Sequence, residues 1–291
     1  NTVRDTDDLG LWFRMAAGDD STGDVTVDVV NNTTVNAGTA MDGVAIYSGL
    51  RSEHGEAWLR MADNAVDGAG GRGIYGDARG MLTGNAEVRL IGNRVQNVLD
   101  MGSGGRVRSM DGDSRIEATG NVASGGQRGV SIQAFTIGEG NAQALAEANR
   151  VEDVADLGVA AVVETGNGEA RAAAINNQVE RSGGIGIETY AAAEDAVAEA
   201  WLVDNRVSDC ATVGLAASVE MWGNEAGLAA ATGNEADRCG IAGIQVRSRA
   251  YAGGNAHVLL ENNRAENGEG TGMLALALAS PGAQNAVIMA T

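Results

Sequence analysis

The stretch VAEAWLVDNRVSDC, residues 197–210, decides the fold, because the rest of the chain keeps rewriting it. It sets Ala198, Ala200 and Leu202 at alternate positions, then Asp204-Asn205, Val207 and Cys210. One frame earlier the same places hold Ala170, Ala172, Ala174, Asn176-Asn177 and Val179. One frame later they hold Gly227, Ala229, Ala231, Gly233-Asn234, Ala236 and Cys239. A single asparagine can be followed from end to end: Asn1, Asn32, Asn64, Asn93, Asn121, Asn149, Asn177, Asn205, Asn234 and Asn263, at spacings of 28 to 32 residues. Self-similarity at a fixed period of this size marks a repeat architecture.

Within each frame the apolar period is two, which reads as strand. The position seven before each asparagine is small or apolar: Val25, Ala57, Ala86, Ser114, Ala142, Ala170, Ala198, Gly227, Ala256 and Ala286. Before it stands a turn signal, Gly followed by Asn, Asp or Glu, as in Gly84-Asn85, Gly112-Asp113 and Gly168-Glu169. Two residues after the asparagine the apolar pattern resumes with Val3, Val66, Val95, Val151, Val179 and Val207. A glycine column opens a further strand: Gly10, Gly43, Gly73, Gly102, Gly129, Gly158, Gly186, Gly214, Gly243 and Gly272. Each repeat is therefore one turn with two clear strands and a short third. Residues 1–291 form a single all-β parallel β-helix domain of about ten turns of 28–32 residues with an Asn ladder. At about 4.8 Å per turn the solenoid is about 48 Å long, and stacked asparagines can pair their amides.

The composition fits that plan. Hydrophobic residues make up 44% and aromatics only 3%, so the core is built from small aliphatics. Pro281 is the only proline, as expected where backbone N–H groups are needed in ladders. The net charge of −19 disfavours nucleic acid, which needs a basic surface. All 20 basic residues are arginine, a bias attributable to base composition. No run of apolar residues is long enough for a membrane-spanning helix, so membrane insertion is not expected.

The frame of a glycine-led strand (Gly186-Ile187, Gly243-Ile244), a loop, alternating aliphatics, an asparagine and a valine resembles the repeat of right-handed parallel β-helix proteins of the pectate-lyase-like group. The resemblance covers essentially the whole chain and implies a right-handed coil. It is weakly specific for activity, since that fold hosts lyases, hydrolases, epimerases, adhesins and tailspikes. It also implies that any cleft lies on the outward side of the glycine-led strand. Positions there give Trp12, Arg14, Tyr47, Tyr75, Asp77, Arg106, Arg108, Gln133, Glu188 and Tyr190. Aromatics can cover apolar sugar faces, and arginines can pair with uronate or sulfate. The alternative is an ordinary solvated face on which charges alternate to avoid like-charge stacking.

Catalytic signals are thin. A polysaccharide lyase needs a base and commonly a Ca²⁺ held by several acids, and a hydrolase needs paired carboxylates. Asp19-Asp20, Asp111 with Asp113, and Glu53-His54 flank turns, and solvated turns account for them. No resident cofactor is expected, with Ca²⁺ between turns the one cation to test. Cys210 and Cys239 share a column on consecutive turns, where a disulfide and two buried thiols both fit. Arg94, Arg150, Arg206 and Arg264 at one position, with Asp67, Glu152, Glu180, Asp237 and Glu266 two places on, read as an ion-pair lattice.

The chain opens on a ladder position and stops about two residues short of the next, with a last strand, Gly272–Leu278, that is apolar on both faces. The rod is expected to continue in a longer protein or to pair end to end with itself. The leading expectation is a non-catalytic, secreted or cell-surface module with a structural or binding role, self-assembling or glycan-binding. The rival is a lyase or epimerase acting on an acidic glycan in the same groove.

Overall fold

The computed structural model describes residues 1–17, 22–280 and 285–291. Asp19-Asp20 and Pro281 lie outside the described residues. Three ten-stranded parallel sheets run the length of the solenoid, each taking one strand from every turn. One turn shows the plan: Arg150–Val154 in the ladder sheet, Leu157–Thr165 in the broad sheet and Ala170–Ile175 in the third sheet. The next turn repeats it with Gln178–Ser182, Ile187–Ala193 and Ala198–Val203.

The ladder asparagines hold the first corner. Asn177 Nδ2 donates to Asn205 Oδ1 at 3.0 Å and to the Ala146 carbonyl at 2.9 Å. Its Oδ1 accepts from Asn149 Nδ2 at 2.9 Å and from the Asn149 backbone N–H at 3.0 Å. Asn64, Asn93, Asn121, Asn149, Asn205 and Asn234 repeat this arrangement, and all are buried. Asn263 accepts from Asn234 and donates back to the Ala231 carbonyl. Every polar atom of an inner rung is thus satisfied, the condition for burying an amide without penalty.

The residue before each asparagine is left-handed: Asn31, Asp63, Gly92, Gly120, Ala148, Asn176, Asp204, Gly233 and Asn262. Asn, Asp and Gly tolerate that region, whereas a Cβ without a local hydrogen-bonding group is strained there. A second left-handed column lies four residues after the asparagine, through Asn97, Asp153, Arg181, Asp209 and Arg238. The two columns bracket each ladder-sheet strand, one just before it and one near its end, as Ala148 and Asp153 do for Arg150–Val154.

The interior follows the sequence columns. Ala142, Ala170 and Ala198 are in register and fully buried, as are Val151 and its ladder-sheet neighbours. The glycine column exists because the valine two after the asparagine fills its space. A Cβ on Gly158 would lie 2.5 Å from Val179 Cγ1 and 2.4 Å from the Gly186 carbonyl oxygen. One member of the expected column is corrected: Ala45, not Gly43, is in register with Gly73, because Tyr47 pairs with Tyr75. That turn has a longer corner around Gly38–Gly43, which the 32-residue spacing from Asn32 to Asn64 absorbs.

At the far end, strands Thr271–Ala279 and Ala286–Ala290 leave Met273, Leu274, Leu278, Val287, Ile288 and Met289 exposed.

Replacing Asn177 by Leu strands the partner groups of two neighbouring rungs, and equilibrium denaturation is expected to show a loss of about 1–3 kcal/mol. Ala148→Gly relieves the left-handed strain at one corner and is expected to stabilise by about 1 kcal/mol.

Candidate functional site

The outward face of the broad sheet carries three columns of side chains. The first runs Trp12, Tyr47, Tyr75, Gly104, Ser131. The second runs Arg14, Gly49, Asp77, Arg106, Gln133, and the third Ala16, Arg51, Arg79, Arg108, Phe135. Strand alternation puts these positions outward while Ile46, Ile74 and Val107 turn into the core.

Over the first strands lies a groove of about 430 Å³, lined by Trp12, Arg14, Tyr47, Gly49, Asp77 and Arg79 among others. Trp12 meets Tyr47 edge-on at 6.3 Å, and Tyr47 stacks with Tyr75 at 6.3 Å and 14°. Tyr47 leans along the sheet over bare backbone: a Cβ on Gly49 would stand 2.7 Å from its hydroxyl. The Arg72 guanidinium lies 4.4 Å from the Tyr75 ring centre.

Asp77 is buried at the centre of the groove. Its Oδ2 accepts from Arg79 Nε at 3.0 Å and Nη2 at 2.8 Å, while its Oδ1 is enclosed without a partner. On the next strand Arg106 donates through Nη2 to Gln133 Oε1 at 3.4 Å, and its buried Nε has no partner. Arg108 lies 5.7 Å from the Phe135 ring. Burial and the Asp77 carboxylate push the Tyr47 hydroxyl up, against the opposing pull of Arg79 and Arg14. The hydrogen bond to Asp77 in turn raises Arg79.

Sequence reading placed Trp12, Tyr47, Tyr75, Asp77, Arg106, Arg108 and Gln133 on one face, and the structure brings them together over adjacent strands. Glu188 and Tyr190 are not part of that group. Tyr190 shares the Asp77 column but lies four strands further on, through Arg106, Gln133 and Val162. Four strand spacings are about 19 Å. There it donates to Glu220 Oε2 at 3.2 Å beside a separate hollow of about 170 Å³ that includes Arg247 and Arg249. Burial and Glu220 hold its hydroxyl well above the usual range. Glu188 is half-buried in register with Ala160 and Ala216, and burial, with help from Asp156, raises its carboxyl.

Of the third outward position, sequence reading named only Arg108 and missed Arg51 and Arg79. The third column stacks Arg51, Arg79 and Arg108 in register on consecutive strands, so charges do not alternate here. Arg51 pairs with Glu53 at 3.2 Å and Arg79 with Asp77 at 2.8 Å. Among the described residues no acid lies within salt-bridge distance of Arg14, Arg106 or Arg108.

The acidic turn groups have structural work. Asp113 Oδ1 accepts the Asn141 backbone N–H at 2.8 Å, one step of a second turn ladder through Asp24, Asn85 and Asn141. His54 Nδ1 lies 3.3 Å from Thr83 Oγ1. Among the described residues no three His, Cys, Asp or Glu side chains form a group that could hold a metal. The ion-pair lattice forms in part, through Arg150–Glu152 at 2.5 Å and Arg264–Glu266 at 2.7 Å, while Arg206 reaches Glu235 on the next turn at 2.8 Å. It extends to the second left-handed column, where Arg181 bridges to Asp153 and Arg238 to Asp209. Cys210 and Cys239 are buried free thiols in register.

No family model matches the chain, and neither the curated proteins nor the solved structures contain a match to it. The architecture is that of a parallel β-helix repeat protein, on its own geometry.

Replacing Asp77 by Asn removes a negative charge beside Tyr47 and frees Arg79, and both changes favour the phenolate. The Tyr47 titration, isolated by comparing phenolate absorbance with a Tyr47→Phe variant, is expected to move to lower pH.

Proposed function

We propose that the chain is a non-catalytic β-helix scaffold of the right-handed, pectate-lyase-like kind, secreted or displayed at a cell surface, that binds an acidic glycan along the broad sheet. The observation that carries this reading is the in-register stack of Arg51, Arg79 and Arg108 beside the Trp12–Tyr47–Tyr75 stripe. Like charges on neighbouring strands are unfavourable, and an anionic ligand relieves the repulsion. The chain as a whole is at −19, which makes this local excess of guanidinium more telling.

The remaining groups suit the same ligand. Aromatic faces receive the C–H surface of a sugar ring, and the orphaned Asp77 Oδ1 is an acceptor for a hydroxyl. Among the described residues Asp77 is the only carboxylate lining this groove, and Arg79 already holds it. A single paired carboxylate supplies neither the acid–base pair of a hydrolase nor the metal cluster of a lyase, which supports binding without turnover.

Titration calorimetry with oligo-uronates and neutral oligosaccharides tests the reading. Tyr47→Ala is expected to weaken uronate binding about tenfold, a change of about 1.4 kcal/mol. Absence of glycan binding overturns the reading, and release of unsaturated uronate products overturns its non-catalytic part.

End-to-end stacking is the structural half of the proposal: the apolar residues of the last described turn and the second amide hydrogen of Asn263 are the groups a further turn would cover, whether it comes from this chain's continuation or from a second copy. A parallel strand set seated there would cover Met273 and Ile288 and extend the ladder. Light scattering across protein concentration is expected to show assembly that Met273→Glu with Ile288→Glu abolishes; a concentration-independent monomer rules it out.

A further inference from the structure

We propose that Cys210 and Cys239 are an oxidative modification site, at which hydrogen peroxide converts two thiols into a disulfide clasping consecutive turns. The two residues are register partners on adjacent parallel strands, Arg206–Cys210 and Glu235–Cys239. Neighbouring strands place their Cα atoms about 4.8 Å apart, inside the range a disulfide spans. Both thiols are buried and free. Each faces the carbonyl two residues back on its own strand, Cys210 Sγ at 4.0 Å from Ser208 O and Cys239 Sγ at 3.7 Å from Asp237 O, so the two sulfurs share one orientation.

The two sulfurs fill the space that side chains at Gly186 and Gly214 would need: Cβ atoms placed there would lie 2.9 Å and 2.8 Å from the Cys210 and Cys239 sulfurs. On one side the column is closed by Ser182, in register with Cys210. On the other, the turn above Cys239 presents exposed Gly268, whose absent side chain would sit 2.7 Å from the Cys239 carbonyl oxygen. With both thiols buried the oxidant must be small, which favours hydrogen peroxide over a bulky disulfide such as glutathione disulfide. Interaction between the two thiols holds Cys239 below and Cys210 above the usual thiol range, while burial and the Asp209 carboxylate oppose ionisation of both. Either sulfur can react first and the other then resolves, and the balance is the same for Cys239 first as for Cys210 first.

The chemistry balances without a further reagent. The Cys239 thiolate attacks one peroxide oxygen, the O–O bond breaks, and hydroxide leaves and takes up a proton as water. Cys210 sulfur then attacks the sulfur of the Cys239 sulfenic acid, the S–O bond breaks, and the oxygen departs as a second water with the Cys210 proton. Two thiols lose two electrons and one peroxide gains them. The product ties residues 29 positions apart in sequence and restricts the unfolded chain.

The test treats the full chain with hydrogen peroxide, alkylates free thiols in denaturant, and cleaves at arginine. Oxidation is expected to link the peptide Val207–Arg238 to the peptide Cys239–Arg247 with loss of two hydrogens. Dithiothreitol should reverse the link, and the oxidised protein should have the higher melting temperature. Cys239→Ser and Cys210→Ser are each expected to prevent the link while keeping the fold, because Ser182 already occupies this column. Thiols that remain alkylatable after treatment, a link only between chains, or sulfinic acid as the sole product would overturn the proposal.

Discussion

A buried primary amide has two hydrogens to donate and an oxygen to satisfy, and at the first corner of this solenoid a full set of partners exists only if the same amide sits one turn above and below. Each inner asparagine spends one hydrogen on the next rung, the other on a carbonyl of the previous turn, and its oxygen on the rung before. That requirement propagates. It fixes the rise from turn to turn and the register of the strand that follows, and it forces inserted residues into corners away from the ladder. The extra length between Asn32 and Asn64 is taken up around Gly38–Gly43, and the amide bond across it is still 3.0 Å.

Fixed register then dictates composition. In a stack of parallel strands every residue sits on its own counterpart, so side-chain size is chosen by column rather than by residue. Valine at one place demands glycine at another, as Val179 does of Gly158. Where the third-sheet column shrinks to Gly227, Val219 and Met221 from the broad sheet fill the space, with a notional Cβ only 2.7 Å and 2.8 Å from their carbons. A core of small aliphatics can be close-packed this way without large aromatic anchors.

Legibility in the sequence followed the same logic. Strands, turns and the seven-before, two-after and five-after columns could be read, because period two and a constant partner leave a trace in residue type. The second left-handed column could not, because Arg181 and Arg238 adopt it and neither residue type announces a positive φ. Gly43 was misplaced because a glycine at nearly the right spacing stood beside the true position, Ala45. Grouping Tyr190 with Tyr47 confused sharing a face with being neighbours. Position along the solenoid axis separates them, and only a count of strands reveals it.

The arginines sharpen the distinction between a solvated face and a site. On the third sheet this chain compensates every guanidinium: Arg60 meets Asp28 at 3.6 Å, Arg89 lies between Glu87 and Glu117, and Arg171 reaches Glu169 at 2.8 Å and Glu199 at 3.6 Å. Such exposed pairs add little individually, but they show how the chain handles its surface charge. The broad sheet breaks that habit over its first four turns. There Arg51, Arg79 and Arg108 stack, Arg14 and Arg106 flank them, and among the described residues only Asp77 and Glu53 answer. Excess acid is abundant elsewhere in a chain at −19, so the imbalance does not follow from composition. It is local, it coincides with the aromatic stripe, and it leaves a buried carboxylate oxygen and a buried guanidinium nitrogen without partners on neighbouring strands. Among the described residues no further carboxylate answers these arginines, and that is the reason to look for an anion on this face.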